Sequence, residues 1–154
     1  MKVFISGSIS IKTLPQIAKE KLNKIISQGL TVIIGDANGI DSLVQSYLAE
    51  QKYSDVIIYH AGSNIRNNIG NWPTISVPTQ NLTGRALYTL KDKKMALDAD
   101  FGMMIWDGKS KGTQANIQEM TKFGKHFYVI QNESIFTDKA FIPKTIEQPE
   151  LFLI

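Results

Sequence analysis

Apolar and polar positions follow two rhythms along this chain. Short, nearly continuous apolar runs occupy residues 3–5, 30–34, 56–59, 101–106 and 126–130. Runs without polar alternation suit strands of a parallel sheet covered on both faces. Between them the apolar residues recur with helical spacing. Leu14, Ile17, Ala18, Leu22, Ile25 and Ile26 share one face, with Pro15 suited to the first turn and Gly29 to the C-terminal cap. Ile40, Leu43, Val44, Tyr47 and Leu48 recur at i, i+3, i+4, i+7 and i+8. Residues 82–98 predict a third helix, capped by Thr83, with a weak apolar face of Leu87, Leu90, Met95 and Leu97 and a polar face of Arg85, Tyr88, Lys91 and Asp92. Ile117, Met120 and Phe123 mark a fourth, ended by Gly124. Residues 61–80 carry neither period and predict a long, functional loop. In it Arg66 suits a phosphate, and Trp72 suits either a stack on a base or, the favoured reading, an anchor on the core.

Strands alternating with helices predict an α/β fold, a doubly wound, Rossmann-like sheet of about five parallel strands. Right-handed crossovers make 3-2-1-4-5 the simplest order. The expectation is a single domain over residues 1–154, with a core at 1–130 and a C-terminal extension at 131–154. That extension is polar and then ends Leu151-Phe152-Leu153-Ile154, an apolar terminus expected to pack on the domain or on a second subunit. In the predicted order the first and fourth strands flank the switch point, so the loops that follow them face each other across one crevice.

Composition narrows the class. Hydrophobic residues make up 43% and charged residues 20%, which is globular rather than disordered. The absence of cysteine removes disulfides and cysteine-ligated metal, and two histidines far apart argue for no metal site. No apolar run approaches the roughly 20 residues needed to span a bilayer. The expectation is a soluble, cytoplasmic chain with no membrane partner. Net charge is +3, and only Arg66 and Arg85 among 17 basic residues are arginine. Nucleic-acid readers rely on arginine for bidentate contacts, so nucleic acid is a poor partner and a small anion a better one.

The candidate chemistry sits in three loops. In Trp106-Asp107-Gly108-Lys109-Ser110-Lys111-Gly112-Thr113, a strand, a glycine-bearing turn and a helix follow in the order that builds an anion site. Gly108, Ser110, Gly112 and Thr113 are the phosphate candidates, with Asp107 beside them. Ser6-Gly7-Ser8 follows the first strand, and Gly7 and Ser8 face that loop across the crevice. Gly35-Asp36-Ala37-Asn38-Gly39-Ile40-Asp41 follows the second. There Gly35, Ala37 and Gly39 shape the turn, while Asp36 and Asp41 either serve the helix start or bond ribose hydroxyls or an amine. Neither G-x-G-x-x-G nor G-x-x-x-x-G-K-[ST] occurs, which disfavours a dinucleotide-binding Rossmann enzyme and a P-loop NTPase.

These residues resemble the SLOG superfamily, Rossmann-like domains that include the DNA-processing protein A family and the Lonely Guy phosphoribohydrolases. Gly35-x-Ala37-x-Gly39-Ile40-Asp41 is similar to the S-G-x-A-x-G-I-D loop of the first. The block from Lys91 to Asn116 is similar to the R-K-x-x-M and P-G-G-x-G-T-x-x-E pattern of the second. The resemblance covers roughly residues 1–130. It implies a nucleotide-type ligand, a nucleoside phosphate or an ADP-ribose-like molecule, and a homodimer or larger oligomer. The departures are specific. Lys91 stands at the family's Arg position, Asp92 at its Lys position and Asn116 at its Glu position. Asparagine takes no proton and carries no negative charge to an oxocarbenium ion.

The leading expectation is therefore a protein that binds a nucleotide as a sensor or by sequestration. Its ligand-binding candidates are Gly7, Ser8, Gly35, Asp36, Ala37, Gly39, Asp41, Lys91, Asp107, Gly108, Ser110, Gly112, Thr113 and Asn116. The rival is a nucleotide N-glycosidic bond hydrolase or transferase with a displaced carboxylate, for which Asp36, Asp41, Asp92 and Asp107 are the catalytic candidates. A third reading is single-stranded DNA binding. No cofactor is expected, and Mg²⁺ would come only through a bound phosphate.

Overall fold

The computed structural model describes residues 1–137. The expectation for residues 151–154 lies outside the described residues. The elements run β1 (Lys2–Gly7), α1 (Gln16–Ser27), β2 (Thr31–Ile34), α2 (Ile40–Glu50), β3 (Val56–Ala61), β4 (Thr74–Val77), α3 (Gly84–Asp98), β5 (Phe101–Ile105), α4 (Lys111–Lys122), β6 (His126–Gln131) and β7 (Ser134–Thr137). The fold is α/β, with one sheet ordered β4-β3-β2-β1-β5-β6-β7.

Every pairing is parallel except β6 with β7. The expectation of about five parallel strands in order 3-2-1-4-5 is thus corrected to seven strands in a longer, mixed order. The five apolar runs form the middle of the sheet, and an additional strand lies at each edge. β4 falls inside the stretch expected to be a structureless loop. Its four residues, Thr74-Ile75-Ser76-Val77, pair only with β3 and bury only Val77, so they carry no readable period. β7 falls in the expected extension and is exposed throughout. Asn132, at φ 56, makes the tight reversal into it.

The middle strands are continuous apolar runs because helices cover both their faces. Val3, Ile5, Val32, Ile34, Met103 and Ile105 point to one side, where they meet Ala18, Leu22 and Ile25 of α1 and Val44 and Leu48 of α2. Phe4, Ile33, Tyr59 and Met104 point to the other side, where they meet Met95 and Ala96 of α3 and Met120 of α4. Successive strand residues therefore enter different cores. On α3 the expected face is corrected. Leu97 is 55% exposed, whereas Lys91 is buried with Met95 and Ala96.

One long-range contact fastens the far edge. Glu133, in the β6–β7 turn, accepts the amides of Gln16 at 3.0 Å and Ile17 at 2.9 Å. A carboxylate from another element thus satisfies the N-terminus of α1, whose own N-cap, Pro15, offers no side-chain bond. Among the described residues, no helix is long and apolar enough to cross a membrane.

Candidate functional site

The chain winds outward from β1 to β4 and then returns to place β5 against the other side of β1. β1 and β5 end in register, Gly7 opposite Ile105. Their following loops therefore start together, and the Ser8 amide donates to the Ile105 carbonyl at 3.0 Å. Gly7 is required for packing: a Cβ there would fall 2.5 Å from the Ile105 carbonyl oxygen and 2.5 Å from Ile40 Cγ2. Gly39, at φ +73, likewise leaves no room for a side chain against the Ile9 backbone.

Ser8 is 1% exposed, and its hydroxyl ties the two loops together. It accepts the Asp107 amide at 3.0 Å and lies 2.7 Å from Ser110 Oγ and 3.5 Å from Thr113 Oγ1. Ser110 Oγ donates to Thr113 Oγ1 at 3.1 Å. Ser110 is the N-cap of α4 but makes no side-chain bond to the helix amides. The helix start is thus ringed by three hydroxyls with its own donors uncapped. Gly112 sits in the first turn, where a Cβ would meet nothing within 4 Å, so the space over this helix end is open. Asp107 builds the turn beneath it, accepting Ser10 Oγ at 2.6 Å and the amides of Lys109 and Ser110 at 2.8 and 2.7 Å. Those bonds, the Ser10 bond foremost, hold its carboxyl well below the usual range. Gly108 supplies the left-handed step, at φ +81.

A buried charge cluster forms the floor. Lys91 reaches inward from α3, 3% exposed, with its ammonium 3.3 Å from Asp92 and 3.7 Å from Asp36. Gly35 makes this approach possible: a Cβ there would fall 2.6 Å from Lys91 Nζ and 2.7 Å from Asp41 Oδ2. Burial alone would push Lys91 down, but Asp92, Asp41 and Asp36 outweigh it and hold the ammonium above its ordinary pKa. Asp41 accepts the Ala37 amide at 3.1 Å. Burial, with Asp92 and Asp36 adding to it against Lys91, pushes its carboxyl up to about 7. Asp92 is also raised by burial, against the pull of Lys91 and a hydrogen bond with Asn116. Asn116 in turn donates to Ser6 Oγ at 2.6 Å. Lys91, Asp92 and Asn116, set apart in the sequence as departures from the phosphoribohydrolase pattern, are therefore neighbours.

Asp36 is used differently. It is 1% exposed and accepts three bonds from Arg66: the amide at 2.9 Å, Nε at 3.2 Å and a terminal guanidinium nitrogen at 2.7 Å. Burial raises its carboxyl, but Arg66 and Lys91 more than reverse that and leave it below the usual range. This clasp fixes residues 62–73. Gln45, fully buried, helps by bridging the Gly35 and Asn67 carbonyls and the Ile69 amide. Trp72 anchors the end of the loop, 7% exposed, with its indole donating to the Tyr53 carbonyl at 2.8 Å.

These parts enclose a cleft of about 660 Å³ off the carboxyl ends of β1, β2 and β5. Of the sequence candidates, Gly7, Ser8, Ala37, Asp41, Lys91, Asp92, Ser110, Gly112, Thr113 and Asn116 line it. Gly35, Asp36, Gly39, Asp107 and Gly108 do not; they shape or brace the loops behind the walls. Ser6, Ser10 and Lys12 line the cleft without being singled out in the sequence, whereas Arg85 and Tyr88 stand on the polar face of α3, for which the sequence leaves a cleft, a partner chain or plain solvent open. A helix as polar as α3 was the available signal, since its polar face borders the cleft. Five basic side chains, Lys12, Arg66, Arg85, Lys91 and Lys111, face two acidic ones, Asp41 and Asp92. Among the described residues, no cluster of histidine and carboxylate side chains could hold a metal ion by itself. No model of a known protein family matches this chain, and no curated protein matches it.

Proposed function

We propose that this cleft binds a nucleotide-type ligand, a nucleoside phosphate or an ADP-ribose-like molecule, as a sensor or by sequestration. The observation that carries the reading is the start of α4. Its amides are uncapped, the hydroxyls of Ser8, Ser110 and Thr113 surround it, and it opens onto a cleft with surplus positive charge. Helix amides and hydroxyls suit phosphate oxygens, and the cationic surplus favours an anion. Asp41 and the Asn116 amide on the floor suit hydroxyl or ring-nitrogen groups. The resemblance to SLOG domains supports the same class of ligand. The test is a thermal-shift screen with nucleoside monophosphates, nucleotides, NAD and ADP-ribose. A ligand at 100 times its Kd adds roughly 2.7 kcal/mol of stability. Gly112→Asp is expected to keep the fold, because its side chain enters open space, and to abolish the shift by repelling phosphate. Unchanged affinity in that variant refutes the assignment of this loop.

A second reading, hydrolysis or transfer at the N-glycosidic bond of a nucleotide, is favoured by one observation. Asp41 and Asp92 flank a single ammonium on the cleft floor, and Asp41 titrates close to neutral pH. Such a pair can hold one proton and one negative charge at the same pH, the pattern of an acid and a stabilising carboxylate. Asp36 and Asp107 are poor candidates, being occupied by the loops they brace. Incubation of each screening hit followed by chromatography separates the readings. An intact ligand supports binding. Release of free base that is lost in Asp41→Asn supports catalysis.

A further inference from the structure

Off the carboxyl ends of β3 and β4 lies a second cavity of about 350 Å³. Arg66 and Tyr88 line it, and the same two residues line the main cleft. One stacked pair is therefore the partition between two chambers. The guanidinium carbon lies 4.1 Å from the Tyr88 ring centroid. The pair is fixed from behind: Asp36, buried to 1% exposure, binds the Arg66 side chain and its amide. Burying a carboxylate is costly unless its partner compensates. Here that cost goes to holding a guanidinium whose side chain is itself 34% exposed. An ion pair built only for stability has no need to leave its cation in the open. A guanidinium stacked on a phenol, held rigid at the boundary of two cavities, is a platform for a planar ring.

The two chambers differ in chemistry. The main cleft carries the hydroxyl-ringed helix start and most of the cations. The second is lined by Ser63, Asn64, Thr79 and Leu87, with no carboxylate and no charge beyond Arg66. Hydroxyl and amide groups beside an apolar side chain suit the edge and face of a heterocycle rather than a phosphate.

We propose that the ligand is two-headed: a dinucleotide-type molecule, two nucleosides joined through phosphates, with one half in the main cleft and the second base across the Arg66–Tyr88 pair in the smaller cavity. This rests on the nucleotide reading of the main cleft, and one experiment separates the two. Binding of AMP and of diadenosine diphosphate is measured by calorimetry on the wild-type chain and on Thr79→Trp, Asn64→Ala and Gly112→Asp. Thr79 and Asn64 line only the smaller cavity, and an indole at 79 fills it. The dinucleotide is expected to bind about fivefold or more tighter than AMP, the low end of what one stacked base contributes. Thr79→Trp should remove that advantage and leave AMP unchanged. Asn64→Ala, which leaves the cavity open, should reduce it in the same direction, and it supplies the readout if the indole disturbs folding. Gly112→Asp should weaken both ligands. Equal affinity for the two ligands, or a Thr79→Trp effect that falls on AMP as strongly as on the dinucleotide, overturns the two-chamber inference and leaves the main-cleft reading standing. Failure of both ligands to bind overturns both.

Discussion

Replacing Asp41 by asparagine is expected to stabilise the protein, and the gain should grow with pH. The carboxyl is 7% exposed, and burial among other carboxylates moves it from an ordinary 3.8 to about 7. The folded chain therefore holds this proton more tightly than the unfolded chain does. Between those two values the folded state binds more protons, so stability falls as pH rises. The contribution is fully present below pH 3.8 and is lost as pH climbs through 7. Each tenfold change in proton affinity is worth about 1.36 kcal/mol, which sets a ceiling of roughly 4 kcal/mol above pH 7. The cleft is open to water and the Lys91 ammonium favours the ionised form, so about 1–3 kcal/mol is the expected gain. Asparagine escapes the penalty because it has no charge to bury, and its carbonyl keeps the bond from the Ala37 amide.

The assay is denaturant unfolding of wild type and Asp41→Asn at pH 4, 6 and 8. The difference should be near zero at pH 4 and largest at pH 8. For a chain of this size 1 kcal/mol moves Tm by about 2–4 °C, so thermal melts resolve it as well. The opposite arrangement predicts the opposite sign. If Asp41 is fully ionised and serves to neutralise Lys91, the substitution leaves an under-compensated buried ammonium and costs up to about 3–5 kcal/mol. A variant less stable than wild type at pH 8, or a difference that does not change with pH, refutes the reasoning.

Three further predictions follow from the same contacts. Gly35→Ala should destabilise by about 1–3 kcal/mol in urea unfolding, because its methyl would fall 2.6 Å from Lys91 Nζ and 2.7 Å from Asp41 Oδ2; it should also abolish the ligand-induced thermal shift by displacing Lys91. Glu133→Ala should cost about 1 kcal/mol by uncapping α1, while Glu133→Gln, whose single carbonyl oxygen can replace only one of the two accepting oxygens, should recover only part of it. Gln45→Met conserves volume but leaves the Gly35 and Asn67 carbonyls and the Ile69 amide without their bonds, so a loss of roughly 2–4 kcal/mol and faster proteolysis within residues 62–73 are expected.

Residues buried on both faces of the sheet were legible in the sequence, and residues with a single long-range partner were not. The apolar runs around Phe4, Ile33, Ile58, Met103 and Tyr128 stood out because each strand must fill two cores at once. β4 and β7 were missed because an edge strand of four residues, mostly exposed, has the composition of a loop. The crevice between the Ser8 loop and the 107–113 loop followed from strand order, and those residues meet there. Lys91 was harder to read. A lysine on a polar helix reads as solvated, and only the carboxylates of Asp36 in a loop, Asp41 on α2 and Asp92 on α3 make its burial tolerable. Asp36 and Asp41 could not be told apart, since each is an aspartate in a glycine loop. What separates them is Arg66, thirty residues on, which claims Asp36 and leaves Asp41 facing the cleft.

That division explains how the cleft can carry a proton-exchanging group although asparagine stands at 116. At that position asparagine links Ser6 to Asp92 by hydrogen bonds and contributes no charge. A carboxylate there would be a fourth acidic group, with Asp36, Asp41 and Asp92, around Lys91, and mutual repulsion would force further protonation. With asparagine in place, Arg66 pairs with Asp36, and the floor is left with Asp41, Asp92 and Lys91, where the Asp41 carboxyl holds its proton up to about pH 7. A phosphate at the start of α4 adds negative charge across the cleft, which favours the protonated form. Ligand binding and proton uptake should therefore be coupled, with affinity for a phosphate-bearing ligand falling as pH rises through 7.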